Sequence, residues 1–125
     1  MIVATASDAA RLLVPLFASG EGEKLVTAPL DLEQRLIETV EGANGSHDEV
    51  ELPIRAIIAD ALRLGSAGII IAHNHPSGDP NPSREDIEAT RELAATACSL
   101  GIQLHDHLIV GQGGDCRSMR ALGLL

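Results

Sequence analysis

The chain has 125 residues, a formal net charge of -9, 45% hydrophobic residues, one Phe and no Trp or Tyr. That length and apolar content exclude disorder and allow one self-sufficient core, which has to be aliphatic. The acidic balance, the missing aromatic platforms and the absence of a basic run disfavour nucleic-acid binding, and no apolar run reaches the ~20 residues of a membrane span.

In chain order, Ser7 and Asp8 are N-cap types ahead of a helical pattern over Ala9 to Phe17, with Gly20 as its stop. No signal-peptide pattern precedes it. Leu25 to Leu30 reads as a strand in which Pro29 argues for an edge or a bulge, and an edge there could pair with a second copy in a homodimer or be covered. Arg35 to Val40 is the expected returning strand. Gly42 to Asp48, which includes His47, is a polar loop.

Pro53 suits a first helical position, and Ile54, Ile57, Ile58, Ala61, Leu62 and Leu64 recur at helical spacing before Gly65. Ala67 to Ala72 is a continuous apolar run, as for a strand buried on both faces. His73 to Pro82 is a loop by composition. Ser83 opens a helix to about Cys98, where Cys98 is expected to be a small buried residue. Leu104 to Val110 is a further strand, and a Gly-rich turn leads to a short last strand around Arg117 to Met119. Alternating strands and helices predict an α/β sheet covered on both sides, in a single domain over 1–125. Cys98 and Cys116 form no CxxC pair, which predicts a reducing, cytoplasmic setting.

Chemistry concentrates in AHNHPSGDPNPSRED, residues 72–86. Residues two apart on a strand share a face, so His73 and His75 aim their imidazoles to one side if the strand conformation persists. Two imidazoles there are a natural zinc pair, and Asp86 in the first turn of the next helix supplies a third ligand. Gly78 and the prolines Pro76, Pro80 and Pro82 bend and stiffen the intervening loop. Each residue also has a plainer account. Ser83 and Asp86 resemble a capping box, and a lone strand-end His is more often a hydrogen-bonded surface residue than a ligand.

The string His73-Asn74-His75-Pro76, six residues, Ser83, two residues, Asp86 resembles the H-x-H-P, x6, S-x-x-D motif of JAB/MPN (JAMM) metalloprotease domains. Its wording is similar to that of the RadC family. The likeness runs from about Asp8 to Leu125, through the Pro-Ile-Arg helix and Asp106-His107-Leu108-Ile109-Val110-Gly111. It implies a three-layer, cytidine-deaminase-like α/β fold with a mixed sheet flanked by helices, and a Zn2+ held by His73, His75 and Asp86. It also implies a Glu general base just after the first helix. Alignment on Leu30-Asp31 puts Glu23 there, with Glu21 as the alternative. Ser83 would assist the oxyanion, and Asp106 and Ser77 are candidates to support the ligands from behind. The reaction implied is peptide or isopeptide hydrolysis, with a protein or peptide as partner.

Where family members carry Gly-Thr-Leu-Asn before the central helix, this chain has Gly42-Ala43-Asn44-Gly45, and its first strand is LVTAPL rather than aromatic-rich. No helix-hairpin-helix segment is visible. His105 and His107 have strand spacing but no matching carboxylate motif, so a structural or supporting role is expected. An HNH-type nuclease needs a basic surface, and a zinc deaminase needs HxE followed by PCxxC, a sequence this chain does not contain. The remaining alternatives are a metal-binding interaction or scaffold module of the RadC family, or the DNA-repair role in that family's label.

Overall fold

A computed structural model describes residues 1–18, 22–43, 52–75 and 77–125. Glu21, Gly20, His47, Pro76 and most of the expected 42–48 loop lie outside the described residues.

The first helix, α1 (Ala6–Leu13), begins earlier than the sequence suggests. Thr5 is the cap: its hydroxyl accepts the Asp8 N–H, and the Asp8 carboxylate accepts the Thr5 N–H. Pro15 has no N–H to continue the α-helical ladder, and Val14–Phe17 tightens into a 3-10 turn.

Among the described residues, five strands form one sheet: β1 (Lys24–Leu30), β2 (Val40–Ala43), β3 (Gly68–Asn74), β4 (Gln103–Val110) and β5 (Cys116–Ser118), in the order β2-β1-β3-β4-β5. Only β3 and β4 are parallel, joined over the crossover helix α3 (Arg84–Ser99); the other neighbours are antiparallel. The sheet is therefore mixed, as expected. Helix α1 covers one face through Ala9 and Leu13, which meet Val26, Ala28, Ile70 and Leu108. Helices α2 (Ile54–Arg63) and α3 cover the other through Ile57, Ala61, Leu93 and Ala97, which meet Leu25, Ile69 and Ile71. Both faces of β3 are thus buried, which explains its unbroken apolar run.

Three expectations are corrected. The returning strand is not Arg35 to Val40. The Asp31 carboxylate accepts the N–H groups of Glu33 and Arg35, Gln34 sits at a φ of 61°, and the chain turns so tightly that Leu36 makes only an isolated bridge to Leu30. Regular pairing resumes at Val40 opposite Thr27.

Pro29 does not mark an edge strand either, because β1 lies between β2 and β3. Its carbonyl accepts the Ile37 N–H, so the missing donor falls where regular pairing with β2 has ended. Finally, Cys98 is exposed rather than buried, since Leu93 and Ala97 hold the inward face of α3. No helix among the described residues is long and apolar enough to cross a membrane.

Candidate metal centre

Strand β3 does not stop at Ala72 but carries His73 and Asn74 in extended conformation. His73 therefore continues the face of Ile69 and Ile71 and comes to lie under the start of α3. That helix is capped by Ser83, whose hydroxyl accepts the Asp86 N–H at 3.0 Å while Asp86 Oδ2 accepts the Ser83 N–H at 2.7 Å. The capping box and the ligand position coincide. By capping its own helix, Asp86 has its carboxylate held over the end of β3.

One donor atom from each of His73, His75 and Asp86 lies within 4.8 Å of the others. His73 Nε2 is 3.4 Å from Asp86 Oδ1, and His75 Nε2 is 2.8 Å from Asp86 Oδ2. Two ligands on a tetrahedral zinc at bond lengths near 2.1 Å lie about 3.4 Å apart, so the first spacing matches. The His75 Nδ1–H donates to the Asp79 carbonyl at 2.9 Å, which leaves a lone pair on its Nε2 facing a carboxylate oxygen. Two lone pairs at that distance call for a cation or a proton between them. His73 Nε2 is buried and makes no hydrogen bond. An orphaned buried nitrogen aimed at a carboxylate and a second imidazole fits a metal ion.

Burial works against the charged form of Asp86. The N–H and hydroxyl of Ser83 act the other way, and the carboxyl is held below the usual range.

Glu23 precedes β1. Leu25 pairs with His73, and the same register carried on by two residues sets Glu23 opposite His75. Its Oε2 is the other buried side-chain oxygen or nitrogen without a partner among the described residues. Asn74 secures this segment: its Oδ1 accepts the Lys24 N–H at 2.7 Å and its Nδ2 donates to the Gly22 carbonyl at 2.9 Å.

Asp106 does not support a ligand. Its carboxylate accepts from the His107 N–H, the Ser118 hydroxyl and the Arg120 N–H, within a small polar hollow on the α1 side of the sheet. The cause is a bulge in β4: Ile69 faces Leu104, but Ile70 faces Asp106. One extra residue, His105, resets the alternation. It sends His105 and Asp106 to the α1 face and turns His107 inward, where its Nε2 lies 2.7 Å from His73 Nδ1. Burial and the Arg120 charge push the His105 imidazole down. Ser77 is exposed in the loop, and its hydroxyl accepts the Asp79 N–H instead of bonding a ligand side chain.

His107 thus takes the supporting role expected of it, as the partner of a ligand, whereas sequence reasoning missed Thr90, whose hydroxyl meets His107 Nδ1 at 2.7 Å. Thr90 stands four residues after Asp86, on the same side of α3, which was a readable signal. A cavity of about 580 Å3 opens beside His75 and Asn74, walled by Val14, Phe17 and Val110 and floored by Gly111 and Gly113. Among the described residues, no Asp, Glu, Lys or Arg lines it.

Residues 3–124 match the family model described as the RadC-like JAB domain. Similar proteins include a UPF0758 protein of Rhodobacter capsulatus, 45% identical over 96 residues (77% of this chain, 44% of the relative). A UPF0758 protein of Chloroflexus aurantiacus is 39% identical over 118 residues (94% and 51%), and one of Ruegeria pomeroyi is 41% identical over 108 residues (86% and 48%). The chain spans about half the length of these relatives.

Proposed function

Since the chain belongs to the RadC-like JAB domain family, we propose that it is a zinc-dependent hydrolase of the JAMM type, acting on a peptide or isopeptide bond. The observation that carries the reading is the convergence of His73, His75 and Asp86 on one point, with an orphaned buried nitrogen on His73 and an orphaned buried oxygen on Glu23. His73, His75 and Asp86 would hold a zinc ion, which would supply Lewis acidity and bring the pKa of a water toward ~7.

The chain's own groups do the rest. Glu23 Oε2, with no competing hydrogen bond, takes the proton of the attacking water and passes it to the leaving nitrogen. The Ser83 oxygen accepts the Asp86 N–H, which leaves its own proton free to donate to the developing oxyanion. The cavity beside His75 lies within the 300–1,000 Å3 of ordinary ligand sites and offers apolar walls and backbone, suited to an uncharged stretch of extended peptide. A nucleic-acid substrate is disfavoured by the net charge of -9. The two free cysteines support a reducing, cytoplasmic setting.

The test is cleavage of a peptide library by zinc-loaded protein, with zinc content measured alongside. The expected result is about one zinc per chain and cleavage that Glu23→Gln abolishes while zinc is retained. Zinc binding with no cleavage of any amide would favour the scaffold reading, and full activity in Glu23→Gln would remove Glu23 as the base.

A further inference from the structure

We propose that Thr90 and His107 are positioning residues that set the tautomer of His73, placing its proton on Nδ1 and its lone pair on Nε2. The consequence for metal binding rests on the zinc reading above; the tautomer itself does not.

The argument is proton counting along one line of hydrogen bonds. The Thr90 hydroxyl has a single proton and lies 2.5 Å from the Asp86 backbone carbonyl, which can only accept. Its other acceptor in reach, the Met119 sulfur, is 3.6 Å away and weak. The proton therefore goes to the carbonyl, and Thr90 must accept at its 2.7 Å contact with His107 Nδ1. His107 is buried and carries its one proton on Nδ1, so its Nε2 holds a lone pair. At 2.7 Å from that lone pair, His73 Nδ1 must donate. A neutral imidazole has one proton, so His73 Nε2 is bare, and it is the buried nitrogen left without a partner.

Taken alone, a helix Thr bonded to the carbonyl four residues back is ordinary. Here the line starts on the backbone of one ligand residue, Asp86, and ends on the ring of another, His73. The two are locked together through side chains 0% and 1% exposed. Ligand histidines usually give their second N–H to a carboxylate, a carbonyl or water. In this chain a neutral imidazole takes it, and its orientation is set in turn by a hydroxyl. The bulge at His105 is what makes His107 available for the part.

The experiment is long-range 1H–15N correlation on the metal-free full chain, which reports which ring nitrogen of His73 carries hydrogen. Wild type is expected to show a protonated Nδ1 and a bare Nε2. Thr90→Val keeps the shape and removes the acceptor. It is expected to move the His73 proton to Nε2 and to weaken zinc binding, measured by chelator competition, about 10- to 100-fold. Thr90→Ser should restore both. A proton on Nε2 in wild type overturns the proposal even if Thr90→Val fails to fold, and so does an unchanged His73 tautomer in a folded Thr90→Val. A wild type with the expected tautomer that takes up no zinc leaves the relay standing and removes the zinc reading instead.

Discussion

Asn74 holds Glu23 from both sides: its side-chain amide bonds the carbonyl of the residue before and the N–H of the residue after. Asn74 is the middle residue of the His-x-His pair, and strand alternation turns it away from the two ligands. One three-residue stretch therefore presents two imidazoles and anchors the segment that carries the carboxylate.

Removing that anchor should separate chemistry from metal binding. Two hydrogen bonds of about 1 kcal/mol each are lost in Asn74→Ala, and a misplaced base lowers kcat by roughly 10- to 100-fold. Zinc affinity is expected to stay within a few-fold of wild type. Steady-state kinetics and chelator titration on the same preparation check this; equal losses in both would show that Asn74 serves the fold and not the base.

Ser83 has two tasks that substitution can divide. Ser83→Ala removes the helix cap, at a cost of about 1 kcal/mol in stability, and the proposed oxyanion donor, at a cost of about 100- to 1,000-fold in kcat. Ser83→Thr keeps both. Thermal unfolding beside kcat and KM measures them, and a Ser83→Ala enzyme with unchanged kcat would leave the residue as a cap only.

Burial holds the His107 imidazole well below its ordinary value, with the His73 ring adding to the effect. Below pH ~6.5 the unfolded chain takes a proton on this residue while the folded protein keeps it neutral. The unfolded state then binds more protons, so stability falls as pH falls, by up to about 1.4 kcal/mol per pH unit, and is complete above pH ~6.5. Urea unfolding of the metal-free protein from pH 7.5 to 5 reads this slope, which a folded His107→Gln variant should reduce.

Gly111 is packed against the metal loop. A Cβ there would meet the Gly78 carbonyl oxygen at 2.7 Å and the Pro80 ring at 3.0 Å. Backbone cannot swing aside as a side-chain tip can, so Gly111→Ala should cost about 1–3 kcal/mol and push away the loop whose Asp79 carbonyl orients His75. Differential scanning calorimetry and zinc titration should both register the change; an unaltered Tm would mean that the loop yields freely.

What could be read without coordinates was local. The two-residue period of a strand put His73 and His75 on one side. The Ser-x-x-Asp spacing placed Asp86 in a first helical turn, and the unbroken run Ala67 to Ala72 announced a strand buried on both faces. The same local logic misjudged the chain after Leu30, where an Asp31 turn displaced the expected strand to Val40. It also misjudged Pro29, whose tolerance depends on where its neighbour strand ends.

Asp106 marks the limit most clearly. Simple alternation along Leu104 to Val110 carries no sign of the one-residue bulge, because a bulge exists only relative to the strand beside it. The ligand types and their spacing follow from periods of two and 3.6 residues, which any stretch of sequence displays by itself. Which side chain stands behind His73 follows from the register of β4 against β3, and that register is decided only when the two strands pair.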